Sequence, residues 1–193
     1  MTVTADRSAT DVSAIRPPSR NARLGGYISA AAAVVGFIPL HLLWAFGIPV
    51  LADEERFRQW YQDGGGLYLY ALCGMALLAA VLSLALIRPW GLVFPRWVPL
   101  LAGRRVPRYL LVIPGYAVPT LLLLYSIYAI GLMFVQWGSP HGIFNPWTGV
   151  YGIVQFIPWW LGLFVATRSY AARTAPARPL TPAVQSGPAG TAS

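Results

Sequence analysis

The sequence predicts an all-α integral membrane protein of four transmembrane helices, with both termini inside (N-in/C-in) and a short outer interfacial helix. Three observations carry this. Of the 193 residues, 56% are hydrophobic and only 10% charged, where a soluble domain carries about 25% charged residues. Four long apolar stretches run over 27–51, 67–87, 109–136 and 150–167, and crossing a ~30 Å hydrocarbon core takes roughly 20 such residues. The longer stretches fit by tilting or by starting in the interface. Finally, the arginines sort to one side of these stretches.

All 14 basic residues are arginine. Arg7, Arg16, Arg20 and Arg23 lie in the N-terminal arm. Arg88, Arg96, Arg104, Arg105 and Arg108 lie in the middle loop, and Arg168, Arg173 and Arg178 in the C-terminal tail. The opposite side holds Arg56 and Arg58, diluted by Asp53, Glu54, Glu55 and Asp63. Positive loops stay inside, so the arm, the middle loop and the tail are expected in the cytoplasm.

Taken in order, residues 1–25 are polar and without apolar periodicity, and are expected to form a disordered cytoplasmic arm. The membrane domain covers 26–170. Val50 and Ala52 imitate a signal-peptide cleavage pattern, but a signal's apolar core is about 7–15 residues long, and the first stretch exceeds that. Ser29/Ala33 and Ala32/Gly36 in span one, and Ala76/Ala80 and Ala79/Ser83 in span two, sit four apart. Small residues at that spacing let helices approach closely in lipid. The segment from Asp53 to Gly66 reads as a short helix, with Asp53 as cap and Glu54 and Glu55 at the positive dipole end. Its edge of Phe57, Trp60 and Tyr61 is expected to lie on the outer membrane surface. Pro39, Pro114, Pro119 and Pro158 introduce kinks into or near spans one, three and four. Trp137 and Trp147 bracket the second outer loop as an aromatic belt, with His141 between them. Residues 171–193, broken by Pro176, Pro179, Pro182 and Pro188, form a second disordered tail.

The middle loop is too apolar for a free loop and too rich in proline for a fifth span. Trp90, Phe94, Trp97, Leu100 and Leu101 can dip into the interface while Arg88, Arg96, Arg104, Arg105 and Arg108 contact anionic phospholipid. Its pattern, Trp-Gly-x-x-x-Pro-Arg-Trp-x-Pro-Leu-Leu-x-Gly-Arg-Arg-Val-Pro from Trp90 to Pro107, is similar to the inner loops of uncharacterised multi-pass membrane proteins of actinobacteria. The likeness covers this loop and its flanking helices. It implies a membrane protein and brings no activity and no catalytic or ligand residues with it.

Several function classes lose support. Cys73 is the only cysteine, so there is no intramolecular disulfide, no CxxC and no Cys/His metal cluster, and a thiol-disulfide oxidoreductase is disfavoured. The net charge of +8 lies on loops beside spans, where it meets lipid rather than nucleic acid. Phosphate-loop, zinc-protease and serine-hydrolase motifs are missing. No Asp, Glu, Lys or Arg sits inside a span, which weighs against carboxylate-based proton coupling. No metal and no cofactor is expected. Haem ligation through His41 lacks a second buried histidine.

An ionisable residue within a span is a functional candidate by default, and His41 is the one present. If span one packs on spans three and four, its polar neighbours are Gln155, Ser126, Tyr125 and Tyr128. His41, Gln155, Ser126 and Tyr128 thus form the candidate ligand-binding set, against a plain reading in which His41 only packs. The expected role is a structural, assembly or accessory protein of the cell membrane with anionic phospholipids and a membrane-protein partner. The alternative is a small-molecule or lipid transport component with a polar site near His41. An enzyme using His41 ranks third.

Overall fold

The computed structural model describes residues 15–136 and 142–176. Among them, four helices are long enough and apolar enough to cross a membrane: α1 (Arg20–Ala45), α3 (Leu67–Ala85), α4 (Arg108–Gln136) and α5 (Pro146–Arg173). A short α2 (Glu54–Trp60) lies between the first two. His141, Trp137 and most of both tails lie outside the described residues.

α1 starts earlier and stops earlier than hydropathy alone indicates. Ser19 adopts extended backbone and accepts the N–H of Ala22 at 3.2 Å, a side-chain cap that opens the helix at Arg20. Residues 20–25, expected in the polar arm, are therefore helical, and Ala22 is buried. At the far end the apolar run continues to Leu51, but the helix ends at Ala45. Gly47 takes φ +78° and Leu51 φ +57°, Pro49 cannot continue a helix, and Trp44 Nε1 closes the turn by donating to the Val50 carbonyl at 2.8 Å. Midway, Ala32–Phe37 widens into a π-turn, with the Ile38 N–H reaching back to the Ala33 carbonyl. Pro39 follows after Ile38. A proline lacks the N–H and clashes with the carbonyl four residues back, and a wide turn relieves both.

α2 was expected to lay Phe57, Trp60 and Tyr61 on the membrane surface. Its cap is the expected one, with Asp53 accepting the N–H of Arg56 at 3.1 Å. Its aromatic edge divides, with Tyr61 exposed, Trp60 partly buried and Phe57 turned into the bundle. Phe57 is 1% exposed and packs with Leu40, Trp44, Ala45 and Leu69, so α2 plugs one end of the bundle. Burying such a side chain is worth about 2 kcal/mol, more than an exposed pair such as Arg58–Glu54 provides. Two neighbouring segments lock this end. The Asp53 N–H donates to the Ile143 carbonyl at 2.8 Å, the Asn145 N–H to Leu51 at 3.1 Å, and Arg56 Nη1 to Gly142 at 2.7 Å.

The long helices alternate in direction around a ring, α1–α3–α4–α5. The α1–α5, α1–α3 and α4–α5 seams are all extensive, and α3–α4 is the loosest of the ring. The core is built from small residues and a few aromatics: Ala30, Ala33 and Phe37 of α1, Ala76, Ala79 and Ala80 of α3, and Phe156 and Trp159 of α5. Lipid offers no hydrophobic drive between helices, so close approach and hydrogen bonds decide the packing. α1 and α5 come closest at two glycines. A Cβ on Gly25 would meet the Gly162 carbonyl oxygen at 2.9 Å, and a Cβ on Gly162 would strike that of Gly25. Ser29 and Ser83, both fully buried, join α1 to α3 at 2.9 Å. Because the Ser83 hydroxyl already donates to Ala79, Ser29 is the donor between them.

The prolines of α4 have a counterpart on α5. Pro119 leaves the Gly115 carbonyl without its helical donor, and Thr167 Oγ1 donates to that carbonyl at 2.8 Å, sharing its proton with Leu163 at 2.8 Å. A kinked membrane helix persists when a neighbour satisfies the freed group.

The segment after α3 folds into a short 3₁₀ turn (Pro89–Gly91) and then a small hairpin. Val93 and Arg105 form an antiparallel bridge, Phe94 N–H donates to Arg104 at 2.9 Å, and Val106 N–H donates to Leu92 at 2.9 Å. Tyr170 Oη donates to the Gly91 carbonyl at 2.9 Å and ties this segment to the end of α5.

Two outcomes check this packing. Gly162→Ala is expected to destabilise the bundle by about 1–3 kcal/mol through overpacking, while Gly74→Ala, which meets nothing within 4 Å, leaves it unchanged; thermal unfolding in detergent reads the difference. Thr167→Val is expected to cost about 0.5–2 kcal/mol, and less in a Pro119→Ala background, where α4 supplies its own donor. A double-mutant cycle with no coupling would remove this link.

Candidate functional site

His41 lies one helical turn from the end of α1, about 6 Å at 1.5 Å per residue, because α1 stops at Ala45. The sequence placed it deeper. Its Nδ1 lies 2.8 Å from the Phe37 carbonyl. A carbonyl only accepts, so Nδ1 carries the proton and neutral His41 keeps its lone pair on Nε2. The ring stacks on Phe37 with centroids 3.6 Å apart and meets the edge of Trp44 at 5.0 Å. Phe37 in turn meets Phe156 at 6.0 Å and Trp159 at 5.4 Å between ring centroids, so a run of aromatic rings links His41 to α5.

The four candidate ligand residues do not converge through hydrogen bonds among the described residues. Gln155 is buried, at 6% exposure, against the π-turn, where a Cβ on Gly36 would lie 3.2 Å from its Cβ. Ser126 is buried, but its hydroxyl donates within α4 to Leu122 at 2.6 Å. Tyr128 is 62% exposed on the outside of α4. The structure thus packs Gln155 against the π-turn of α1, turns the Ser126 hydroxyl to its own helix and leaves Tyr128 exposed.

It also places two residues that the sequence reading missed, Tyr151 and Trp159, in line with Gln155. Tyr151, Gln155 and Trp159 recur every four residues along the face of α5 that meets α1. Tyr151 Oη donates to the Gly36 carbonyl inside the π-turn. Gln155 Oε1 and Trp159 Nε1 are buried with no hydrogen-bond partner. The i, i+4, i+8 spacing was visible in the sequence. What was not visible is that α1 widens there and exposes a carbonyl to accept Tyr151. Chemically, this spot offers one acceptor and one donor, and no acid, base or nucleophile pair. Among the described residues, no group of three or more His, Cys, Asp or Glu could hold a metal ion.

The arginine-rich end divides the five expected lipid-contact arginines into two kinds. Arg88, Arg96, Arg104 and Arg105 are exposed, with Arg88 also lying over the Tyr27 ring at 5.4 Å. Arg108 is half-buried and donates through Nη2 to the Ala171 carbonyl at 3.1 Å. Arg173, which the sequence placed in the tail, does the same for the end of α3 by donating to Leu86. Cations suit the negative ends of helices, so Arg108 and Arg173 act as ties between helix ends. Each still has a buried Nε without a partner.

No protein-family model, no curated protein and no solved structure matches this chain. The functional reading therefore rests on its own geometry.

His41→Gln is expected to leave the bundle folded with a loss under about 1 kcal/mol, since the bond it removes is a local one to its own helix. Denaturation in micelles measures this; a loss of several kcal/mol would make His41 a central tie rather than a peripheral one.

Proposed function

We propose that the chain is a multi-pass protein of the cytoplasmic membrane, with both termini and the 86–107 segment cytoplasmic and α2 outside, serving as a non-enzymatic structural, assembly or accessory component. The observation that carries this reading is where the interior polar groups go. Ser29 bonds Ser83, Ser83 bonds Ala79, Ser126 bonds Leu122, Thr167 bonds Gly115, and His41 bonds Phe37. Spent on one another and on backbone carbonyls, they hold helices and are not directed at a substrate. The chemistry left facing outward is basic and lies at the arginine-rich end, where anionic phospholipids are the natural partner. A second membrane protein is the expected company for such a bundle. Isolation from native membranes after in-membrane cross-linking tests this: a stoichiometric membrane partner supports it, and a protein recovered alone counts against it.

Gln155 Oε1 and Trp159 Nε1, buried without partners, favour a second reading, a transport component taking a small polar molecule beside His41. Under that reading Gln155→Leu abolishes flux in proteoliposomes with the bundle intact.

Orientation has its own check. In a Cys73→Ala background, single cysteines replacing Gln62 and Ser139 are expected to react with an impermeant thiol reagent in intact cells. Cysteines replacing Ser13 and Ser186 are expected not to react. The opposite pattern would invert the protein.

A further inference from the structure

We propose that the hairpin between α3 and α4 is a finger that inserts Trp97 and Leu100 into the headgroup region of an anionic leaflet, with Arg96 and Arg104 on the lipid phosphates. The bridge between Val93 and Arg105 and the bonds from Phe94 and Val106 hold its two arms together. Its tip carries the most exposed apolar side chains of the segment: Trp97 is 80% exposed and Leu100 93%. Leu100 is held at φ +67°, a conformation rare for a side chain of this kind.

Charge decides the occupant. Arg96 and Arg104 are exposed on the same hairpin, and no acidic residue follows Asp63 anywhere in the sequence. The described carboxylates Asp53, Glu54, Glu55 and Asp63 belong to α2 and the turn after it, at the opposite end of the bundle. Among the described residues, no carboxylate lies at the finger's end of the bundle. Both of its roots are ends of membrane-crossing helices, Ala85 of α3 and Arg108 of α4, which keeps it beside the leaflet. A tryptophan–leucine tip between arginines is the composition of an interfacial insert: apolar groups enter the acyl boundary while guanidinium groups bind phosphate. This deepens the anionic-phospholipid part of the proposed function and rests on the helices crossing a membrane, not on which side the finger occupies.

The full chain in nanodiscs of phosphatidylcholine, with and without phosphatidylglycerol, provides the test. Cys73→Ala with Ala102→Cys places an environment-sensitive fluorophore at the exposed tip. The expected result is quenching by lipids spin-labelled near the headgroup, protection from aqueous iodide, and both effects stronger with phosphatidylglycerol. Arg96→Gln and Arg104→Gln are each expected to weaken insertion about fivefold, and Trp97→Ala to reduce it without unfolding the bundle. A tip quenched by iodide and untouched by spin-labelled lipid in both discs would overturn the finger and leave this surface to a protein partner. Thiol labelling at positions 13, 62, 139 and 186 is independent of that result, so a failed finger and a failed orientation are told apart.

Discussion

The contact between Gly25 and Gly162 sets the geometry on which the other helix contacts depend. With no Cβ on either side, the α1 and α5 backbones meet directly, and antiparallel packing from that point fixes which residues face each other further along. Ser29 falls against Gly162, and toward the other end Gly36 falls opposite Tyr151 and Gln155. Dispersion between closely packed surfaces is the main attraction available inside lipid, so a side chain at the crossing would weaken every contact downstream.

Proline and the π-turn show a second constraint, the need to satisfy every backbone polar group away from water. Pro119 frees a carbonyl, and Thr167 on the neighbouring helix takes it up. Pro39 follows a widened turn whose Gly36 carbonyl accepts the Tyr151 hydroxyl. In each case a kink in one helix is matched by a hydroxyl on α5. That helix is thereby bound to both neighbours by hydrogen bonds as well as packing, and its seam with α1 is the most extensive of the bundle.

The two ends differ in chemistry and in closure. One is plugged by Phe57 and the aromatic shell around it, with Tyr61 and Tyr70 both donating to the Ala45 carbonyl at 3.1 and 3.2 Å. The other is tied by cations, with Arg108 and Arg173 reaching the final carbonyls of neighbouring helices and Tyr170 holding the 3₁₀ turn. Between them, among the described residues, the polar spot at Gln155 and Trp159 is the one interior place with both a free donor and a free acceptor. It sits where α1 departs from regular helical geometry, as π-turns at functional positions often do.

Hydropathy by itself determined the four long helices, because any segment that long and that apolar has one stable state in lipid. Residue type determined the Asp53 cap and the small-residue faces of α1 and α3, since both depend on local chemistry at fixed spacing. Helix ends were beyond that reach. The apolar run to Leu51 contains a helix that stops at Ala45, because Gly47 and Pro49 act on dihedral angles and not on hydropathy. Only the tertiary structure decided that Phe57 faces the bundle, that the Ser126 hydroxyl turns to its own helix while Tyr128 is exposed, and that Arg173 closes α3. Each of these depends on which helix lies opposite, and the Gly25–Gly162 approach sets that in three dimensions.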